Sequence, residues 1–326
     1  MKKFSDKLIV VTGGAGFIGS GVIRALNEQK IYNLVVVDNL GMSDKWKNLV
    51  GKRFHDVLHK DHLFEWLKGR EKEIGAFIHL GACSSTVEKD AHYLLENNYR
   101  YTVRLAEYAL THGHRFIYAS SAATYGDGNL GFSDTADLDT FEPLNMYGYS
   151  KHLVDLWLKN QNVLDQVVGL KYFNVYGPNE YHKGRMSSAI IKMVPDALNT
   201  GKIRLFKSSD PKKFPDGGQI RDFIYVKDAA RMTIQFLENN LGGIFNIGSG
   251  KEESWKALAE AVIAALGKKV EIEYIDMPAD LIGKYQNYTC ADMGKSKKEK
   301  LLLTEYSLEG AVKDYVQNYL TLGKHW

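Results

Sequence analysis

An apolar run, Leu8-Ile9-Val10-Val11, passes directly into Thr12-Gly13-Gly14-Ala15-Gly16-Phe17-Ile18-Gly19. A second apolar run, Leu34-Val35-Val36-Val37, stops at Asp38. Together they read as strand, glycine-rich turn, helix, strand and acid, an order few folds accept. Each glycine has a physical task. Gly13 permits the tight turn, Gly16 lets backbone N–H groups approach a pyrophosphate, and Gly19 lets the helix pack closely on the strand. Three spaced glycines alone are a weak signal. Their place between a strand and a helix, with Asp38 nineteen residues beyond Gly19, makes dinucleotide binding the expectation.

The pattern continues beyond this unit. Strands are expected near residues 7–11, 54–56, 76–80, 115–119 and 167–172, with helices over 16–29, 59–72, 87–111 and 143–160. Pro143 suits the first turn of the last of these. Such alternation implies an α/β fold, a Rossmann doubly wound parallel sheet with helices on both faces. Ligands of such sheets bind beyond the carboxyl ends of the strands, so Gly13, Asp38, Gly81 and Ser121 should face one crevice. After Tyr176 the alternation fails. Helices are expected over 186–200, 226–239, 255–266 and 308–320, with strands at 243–248 and 270–275 and a polar loop over 208–219. Residues 1–175 and 220–250 are therefore expected to form the dinucleotide domain. Residues 176–219 and 251–326 would form a smaller α/β lobe that binds substrate.

Bulk properties exclude several classes. A chain of 326 residues has room for a large domain and a lobe. A net charge of +3 gives no case for nucleic acid and is only weakly compatible with an anionic substrate. Cys83 and Cys290 are too few for a disulfide framework or a zinc site, so no metal and a reducing cytoplasmic setting are expected. The basic start at Met1-Lys2-Lys3 leads into a strand too short for a signal sequence. No apolar run approaches the ~20 residues of a membrane span.

Tyr147 and Lys151 stand four apart in an expected helix and share a face. A tyrosine is a poor base at neutral pH, but a neighbouring ammonium favours its phenolate. The pair can take a proton from a hydroxyl as hydride leaves for a nicotinamide. Ser121, one residue past an expected strand, can hydrogen-bond the same oxygen, with Ser120 as its rival. Cys83 lies in a turn without an evident base and reads as a wall of the site. His112 and His114 flank a glycine at a helix end and make no metal site.

The chain resembles the extended short-chain dehydrogenase/reductase family over nearly its whole length. The resemblance rests on Gly13 to Gly19, Ser121, Tyr147 with Lys151, Tyr172 to Pro178, and Arg221-Asp222-Phe223-Ile224-Tyr225-Val226. Its members are mostly nucleotide-sugar epimerases, dehydratases and reductases. The blocks Gly81-Ala82-Cys83-Ser84-Ser85-Thr86, Ala119 to Gly126, His182-Lys183-Gly184 and Gly283 to Gln286 resemble the heptose epimerases within it, which implies an ADP-heptose substrate. Family dehydratases carry Thr-Asp-Glu where this chain has Ser121-Ala122-Ala123, and alanines cannot move a proton.

The resemblance also implies site residues. Phe17, Ile18, Leu80, Gly81, Ala82, Cys83, Ser84, Asn97 and Val175 would line the cofactor. Asp38 by itself favours NAD through a ribose hydroxyl. The resemblance instead implies NADP, with Lys45 near the 2′-phosphate and Asn39 and Lys60 close by. Lys183 would be a second acid/base on the far face of the sugar. Asn174, Arg185, Lys192, Phe206, Lys207, Ser208, Ser209, Arg221 and Tyr285 would contact the nucleotide sugar. Arg185 and Lys192 depart from the family's usual small polar residue and His. A homo-oligomer is implied, a pentamer among the forms it could take. Other nucleotide-sugar epimerases such as a UDP-galactose 4-epimerase, a net reductase, and a non-catalytic dinucleotide-binding regulator stay open as alternatives.

Overall fold

The computed structural model describes residue 4, residues 6–278 and residues 286–326. Its strands, in chain order, are β1 (Leu8–Thr12), β2 (Leu34–Asp38), β3 (Asp56–His59), β4 (Ile74–His79), β5 (Arg115–Ser121), β6 (Val168–Tyr172), β7 (Asn174–Tyr176), β8 (Lys202–Phe206), β9 (Ile220–Arg221), β10 (Phe223–Tyr225), β11 (Gly243–Ile247), β12 (Glu253–Ser254) and β13 (Glu271–Ile275). The α-helices are α1 (Phe17–Glu28), α2 (Leu63–Trp66), α3 (Ala91–Leu94), α4 (Tyr101–Thr111), α5 (Met146–Asn160), α6 (Ile190–Thr200), α7 (Val226–Ile234), α8 (Trp255–Leu266), α9 (Gly294–Lys298) and α10 (Leu308–Asn318).

Seven strands form one sheet in the order β11-β6-β5-β4-β1-β2-β3, and every neighbouring pair is parallel. Parallel strands covered on both faces need apolar residues at every position, not at alternate ones. That is why β2 is buried along its whole length and β1 at all but its first residue. The chain leaves β1 towards β2 on one side and returns to β4 on the other. The crevice of the fold therefore opens at the carboxyl ends of β1 and β4.

α1 turns Phe17, Val22, Ile23 and Leu26 inward. A second apolar cluster joins α6, β8, α8 and α10 through Val194, Ile203, Leu205, Val262 and Tyr315. β13 pairs in parallel with β8 beneath it. Ile18, Val175 and Trp326 pack against both clusters. The fold is α/β, a Rossmann-like sheet with smaller sheets beside it, as its alternation predicts.

Several expected elements move. The third strand starts at Asp56, two residues later than expected. The helix expected over 59–72 shrinks to a 3-10 turn and the four residues of α2, and Gly69 with φ +76° closes the segment. The helix expected from 87 begins only at Ala91, where Asp90 caps the Tyr93 N–H. Pro143 lies outside α5, which Asn145 caps through the Gly148 N–H. β8 occupies residues between the expected helix and loop, for which no element is expected.

Candidate active site

The glycine-rich turn behaves as its sequence requires. Gly13 has φ +65°, and a Cβ there would lie 2.7 Å from the Gly81 nitrogen. A Cβ on Gly19 would lie 2.1 Å from the Gly13 carbonyl oxygen, so only hydrogen lets α1 sit on the turn. Gly16 caps α1 without a side-chain hydrogen bond, and no acid stands in the first helical turn. The first N–H groups of α1 and its positive dipole end are thus left for an anion, which fits the pyrophosphate of a dinucleotide.

Asp38 ends β2 nearly buried. Its Oδ2 accepts the Ala15 N–H at 2.9 Å; its Oδ1 accepts the Asn39 N–H at 2.7 Å and Lys45 Nζ at 2.6 Å. Both carboxylate oxygens are engaged by the chain, and the charge is balanced by Lys45. Lys60 Nζ donates to Asn97 Oδ1 at 3.1 Å, which brings two more expected cofactor residues together.

Ser121, at the end of β5, accepts the Ala123 N–H on its Oγ. Tyr147 and Lys151 occupy the first two turns of α5. A Cβ on Gly148 would lie 2.7 Å from the Ala123 carbonyl oxygen, so glycine lets α5 press on the Ser121 turn. Burial pushes the Tyr147 phenol up, and its hydrogen bond with Ser121 draws it part of the way back. The fall expected from the Lys151 ammonium is not found: the phenol stands above its ordinary value, raised by burial and by Cys83 and lowered only by Ser121. Burial also draws the Lys151 ammonium down to about 8, against the pull of Asp155, while its Nζ donates to the Ala119 carbonyl at 3.0 Å. Ser120 points elsewhere and donates to Asp155 Oδ2 at 2.8 Å.

One residue of this cluster escaped the sequence reading. Between α3 and α4 the helix widens to π geometry over Leu95–Arg100, a distortion frequent at functional sites. It buries Asn98 fully. Asn98 Oδ1 accepts the Cys83 N–H at 2.8 Å, and its Nδ2 donates to the Cys83 carbonyl and to Ser150 Oγ, both at 3.0 Å. Ser150 Oγ in turn donates to the Tyr147 carbonyl at 2.7 Å. The turn after β4 is thereby fastened to the helix that carries Tyr147.

Lys183 lies in a 3-10 segment, Tyr181–Met186, with its Nζ 5.2 Å from the centroid of the Phe17 ring at the start of α1. Burial lowers its ammonium pKa, and Glu180 opposes that. A buried amide, Asn48, ties this segment to the glycine-rich turn. Its Nδ2 reaches the Ala15 and Asn179 carbonyls at 3.0 Å each and His182 Nδ1 at 3.3 Å.

The expected substrate residues are less gathered. Arg221 is nearly buried, 5.7 Å from the Trp255 ring centroid. Asn174 is exposed, and Phe206 is half-buried at the end of β8. Lys207 pairs with Asp276, Ser208 N–H donates to Asp216, and Ser209 Oγ donates to Asn287. Arg185 and Lys192 are exposed. Tyr285 lies outside the described residues. Among the described residues no three His, Cys, Asp or Glu side chains gather into a metal site, and no helix is long and apolar enough to cross a membrane.

A parallel sheet with a glycine turn at its reversal point, and a Ser-Tyr-Lys cluster two strands away, defines a nicotinamide-dinucleotide enzyme scaffold. Residues 9–248 match the NAD dependent epimerase/dehydratase family, and the chain belongs to it. It is 49% identical to the ADP-L-glycero-D-manno-heptose-6-epimerase of Nitratidesulfovibrio vulgaris, over 96% of this chain and 98% of that protein. Among solved structures, UDP-N-acetylglucosamine 4-epimerase from Methanobrevibacter ruminantium superposes with a TM-score of 0.81 at 26% identity, covering 98% of this chain and 100% of that one. The Helicobacter pylori ADP-L-glycero-D-manno-heptose-6-epimerase gives 0.79 at 26% identity, over 96% of each chain. Neither backbone likeness nor the 26% identity to each structure separates the two sugar chemistries; the 49% identity is to a heptose epimerase.

Proposed function

We propose that this chain is an isomerase, an ADP-L-glycero-D-manno-heptose 6-epimerase, working with NADP. The observation that carries the reading is the 49% identity spread over 96% of the chain. The site chemistry agrees with it. Ser121 is followed by Ala122 and Ala123, so the strand end offers no acid for elimination.

When bound, the nicotinamide supplies the acceptor and donor of a hydride at C6 of the sugar. Tyr147 takes the proton of the C6 hydroxyl, while Ser121 hydrogen-bonds that oxygen and Lys151 favours the phenolate. Lys183, its ammonium pKa lowered by burial, returns a proton once the keto sugar presents its other face. The N–H groups at the start of α1 hold the pyrophosphate. Lys45 meets the 2′-phosphate, with Asn39 and Lys60 beside it. Arg221 and the residues flanking β8 take the nucleotide sugar. No net oxidation results.

The division into a dinucleotide domain and a substrate lobe, a homo-oligomeric assembly and a cytoplasmic setting belong to the same proposal. Incubation with ADP-D-glycero-D-manno-heptose, followed by NMR at C6, tests it. Inversion at C6 without NADPH consumption is expected, and an unchanged configuration rejects the substrate. Turnover of a UDP-hexose at C4 would favour the second reading that the Methanobrevibacter structure raises.

A further inference from the structure

We propose that Asp155 and Lys171, a buried charge pair behind the Ser121–Tyr147–Lys151 cluster, position the end of β5, and that the Asp155 carboxylate keeps Lys151 in its charged form. The inference rests on reading Tyr147 and Lys151 as the acid-base pair.

Lys171 is fully buried in β6, a strand otherwise without charge. Taking an ammonium out of water costs several kcal/mol, and apolar replacements of a buried pair are often as stable or more so. A pair retained at that cost calls for a task besides stability. Its surroundings are built for it. Lys171 Nζ donates to Thr124 Oγ1 at 2.7 Å and lies 4.3 Å and 4.8 Å from the ring centroids of Tyr125 and Phe141. It stands 3.6 Å from Asp155 Oδ2. Asp155, also fully buried, accepts the Tyr118 and Ser120 hydroxyls, each at 2.8 Å.

These contacts converge on three consecutive residues. Ala119 is held by Lys151 and Ser120 by Asp155. Ser121 is held by Thr124, whose hydroxyl donates to the Ser121 carbonyl at 2.8 Å and accepts from Lys171. The pair therefore fixes where Ser121 meets Tyr147. Lys151 and Asp155 stand four apart on α5 and share a face. Lys151 also faces Cys83 after β4 and His79 of β4, which burial and Lys151 keep neutral down to about pH 3; Tyr147 stands four residues before it on α5. Asp155 faces Tyr118 on β5, Tyr125 beyond it, Lys171 on β6 and His152 on α5. Among these groups Asp155 is the carboxylate, and its charge opposes the loss of the Lys151 proton.

The test is Asp155→Asn, which keeps the shape, its amide oxygen accepting one hydroxyl and its NH2 donating to the other once that hydroxyl turns, read by NMR titration of 13C-labelled lysine and by the alkaline limb of kcat. With the carboxylate gone, the Lys151 midpoint and the alkaline limb should both fall by about one pH unit. Asp155→Asn with Lys171→Met removes the unpaired ammonium and should reproduce the shift; it carries the test where the single variant does not fold. Folded variants with unmoved Lys151 titration overturn the inference, even where activity drops. Full activity of Lys151→Met would instead reject the acid-base reading, while the NMR midpoint still reports on the pair.

Discussion

Lys45 Nζ lies 2.6 Å from Oδ1 of Asp38. An acid at the end of the second strand normally accepts ribose hydroxyls. Here its oxygens already serve the Ala15 and Asn39 N–H groups and the ammonium. The cation can turn from the carboxylate to a phosphate at the same place. Lys45→Ala should therefore raise KM for NADP about tenfold or more and leave KM for NAD within a few fold, the size of a lost charge-assisted hydrogen bond. An unchanged ratio of the two constants removes Lys45 from cofactor choice.

Tyr147→Phe keeps the ring and removes the phenol oxygen. Epimerisation should fall by ~10²- to 10⁴-fold, with dinucleotide affinity within a few fold of the unaltered protein. Ser121→Ala should lose less, because it removes one hydrogen bond to the same oxygen. Steady-state rates beside a calorimetric Kd separate the two effects, and a fully active Tyr147→Phe excludes the phenol as the base.

A second acid/base is needed only if the keto sugar is protonated on its far face. Lys183→Met keeps a side chain of similar length and removes the ammonium that stands over the Phe17 ring. It should slow net inversion at C6 while oxidation of the bound sugar, followed by absorbance of the reduced nicotinamide, continues. Inversion at the usual rate leaves Tyr147 to serve both faces.

His79 lies between Thr12 Oγ1 at 2.6 Å and Thr102 Oγ1 at 2.9 Å, and burial, then Lys151, brings its pKa down to about 3. Its unfolded value is near 6.5. The folded state thus resists a proton that the unfolded chain accepts. The stability from neutral His79 is complete above pH 6.5 and is lost as pH falls towards 3. The slope is at most about 1.4 kcal/mol per pH unit. Urea midpoints at pH 7 and pH 5 should differ, and His79→Gln should narrow the gap; an equal gap in both proteins assigns the acid sensitivity elsewhere.

Gly13→Ala and Gly16→Ala should part company. At Gly13 a methyl group meets backbone atoms of Leu80 and Gly81 at 2.7 to 2.8 Å and a φ of +65°. At Gly16 it meets the Gly13 carbonyl at 3.0 Å. The first should lower Tm sharply. The second should cost little Tm and weaken dinucleotide binding instead, since it crowds the N–H groups of α1. Thermal melts with and without NADP distinguish these outcomes.

The first strand, turn, helix and second strand were legible because their signals are local: two runs buried on both faces around a turn only glycine can make. The choice between Ser120 and Ser121 was not, because it depends on Asp155, a residue of another element. The π-helical Leu95–Arg100 has no sequence signature, so Asn98 passed unnoticed although Asn97 beside it was singled out. β8 alternates buried Ile203 and Leu205 with exposed Arg204, but its five residues are a short run between Gly201 and a polar loop, and no strand is expected there. The helix expected over 59–72 had the right apolar spacing and was stopped by Gly69.

The Thr12 hydroxyl accepts the Gly81 N–H across 69 residues of chain, and the glycine-rich turn touches backbone at Leu80 and Gly81. A motif written in eight consecutive residues is therefore a high-contact-order object. β1 and β2 can pair early, but the turn is walled only after β4 has inserted on the other side of β1. Loop closure over that distance is entropically slow. Competence to hold a dinucleotide should arrive late in folding, and a fragment ending after Asp38 would carry the fingerprint without the site.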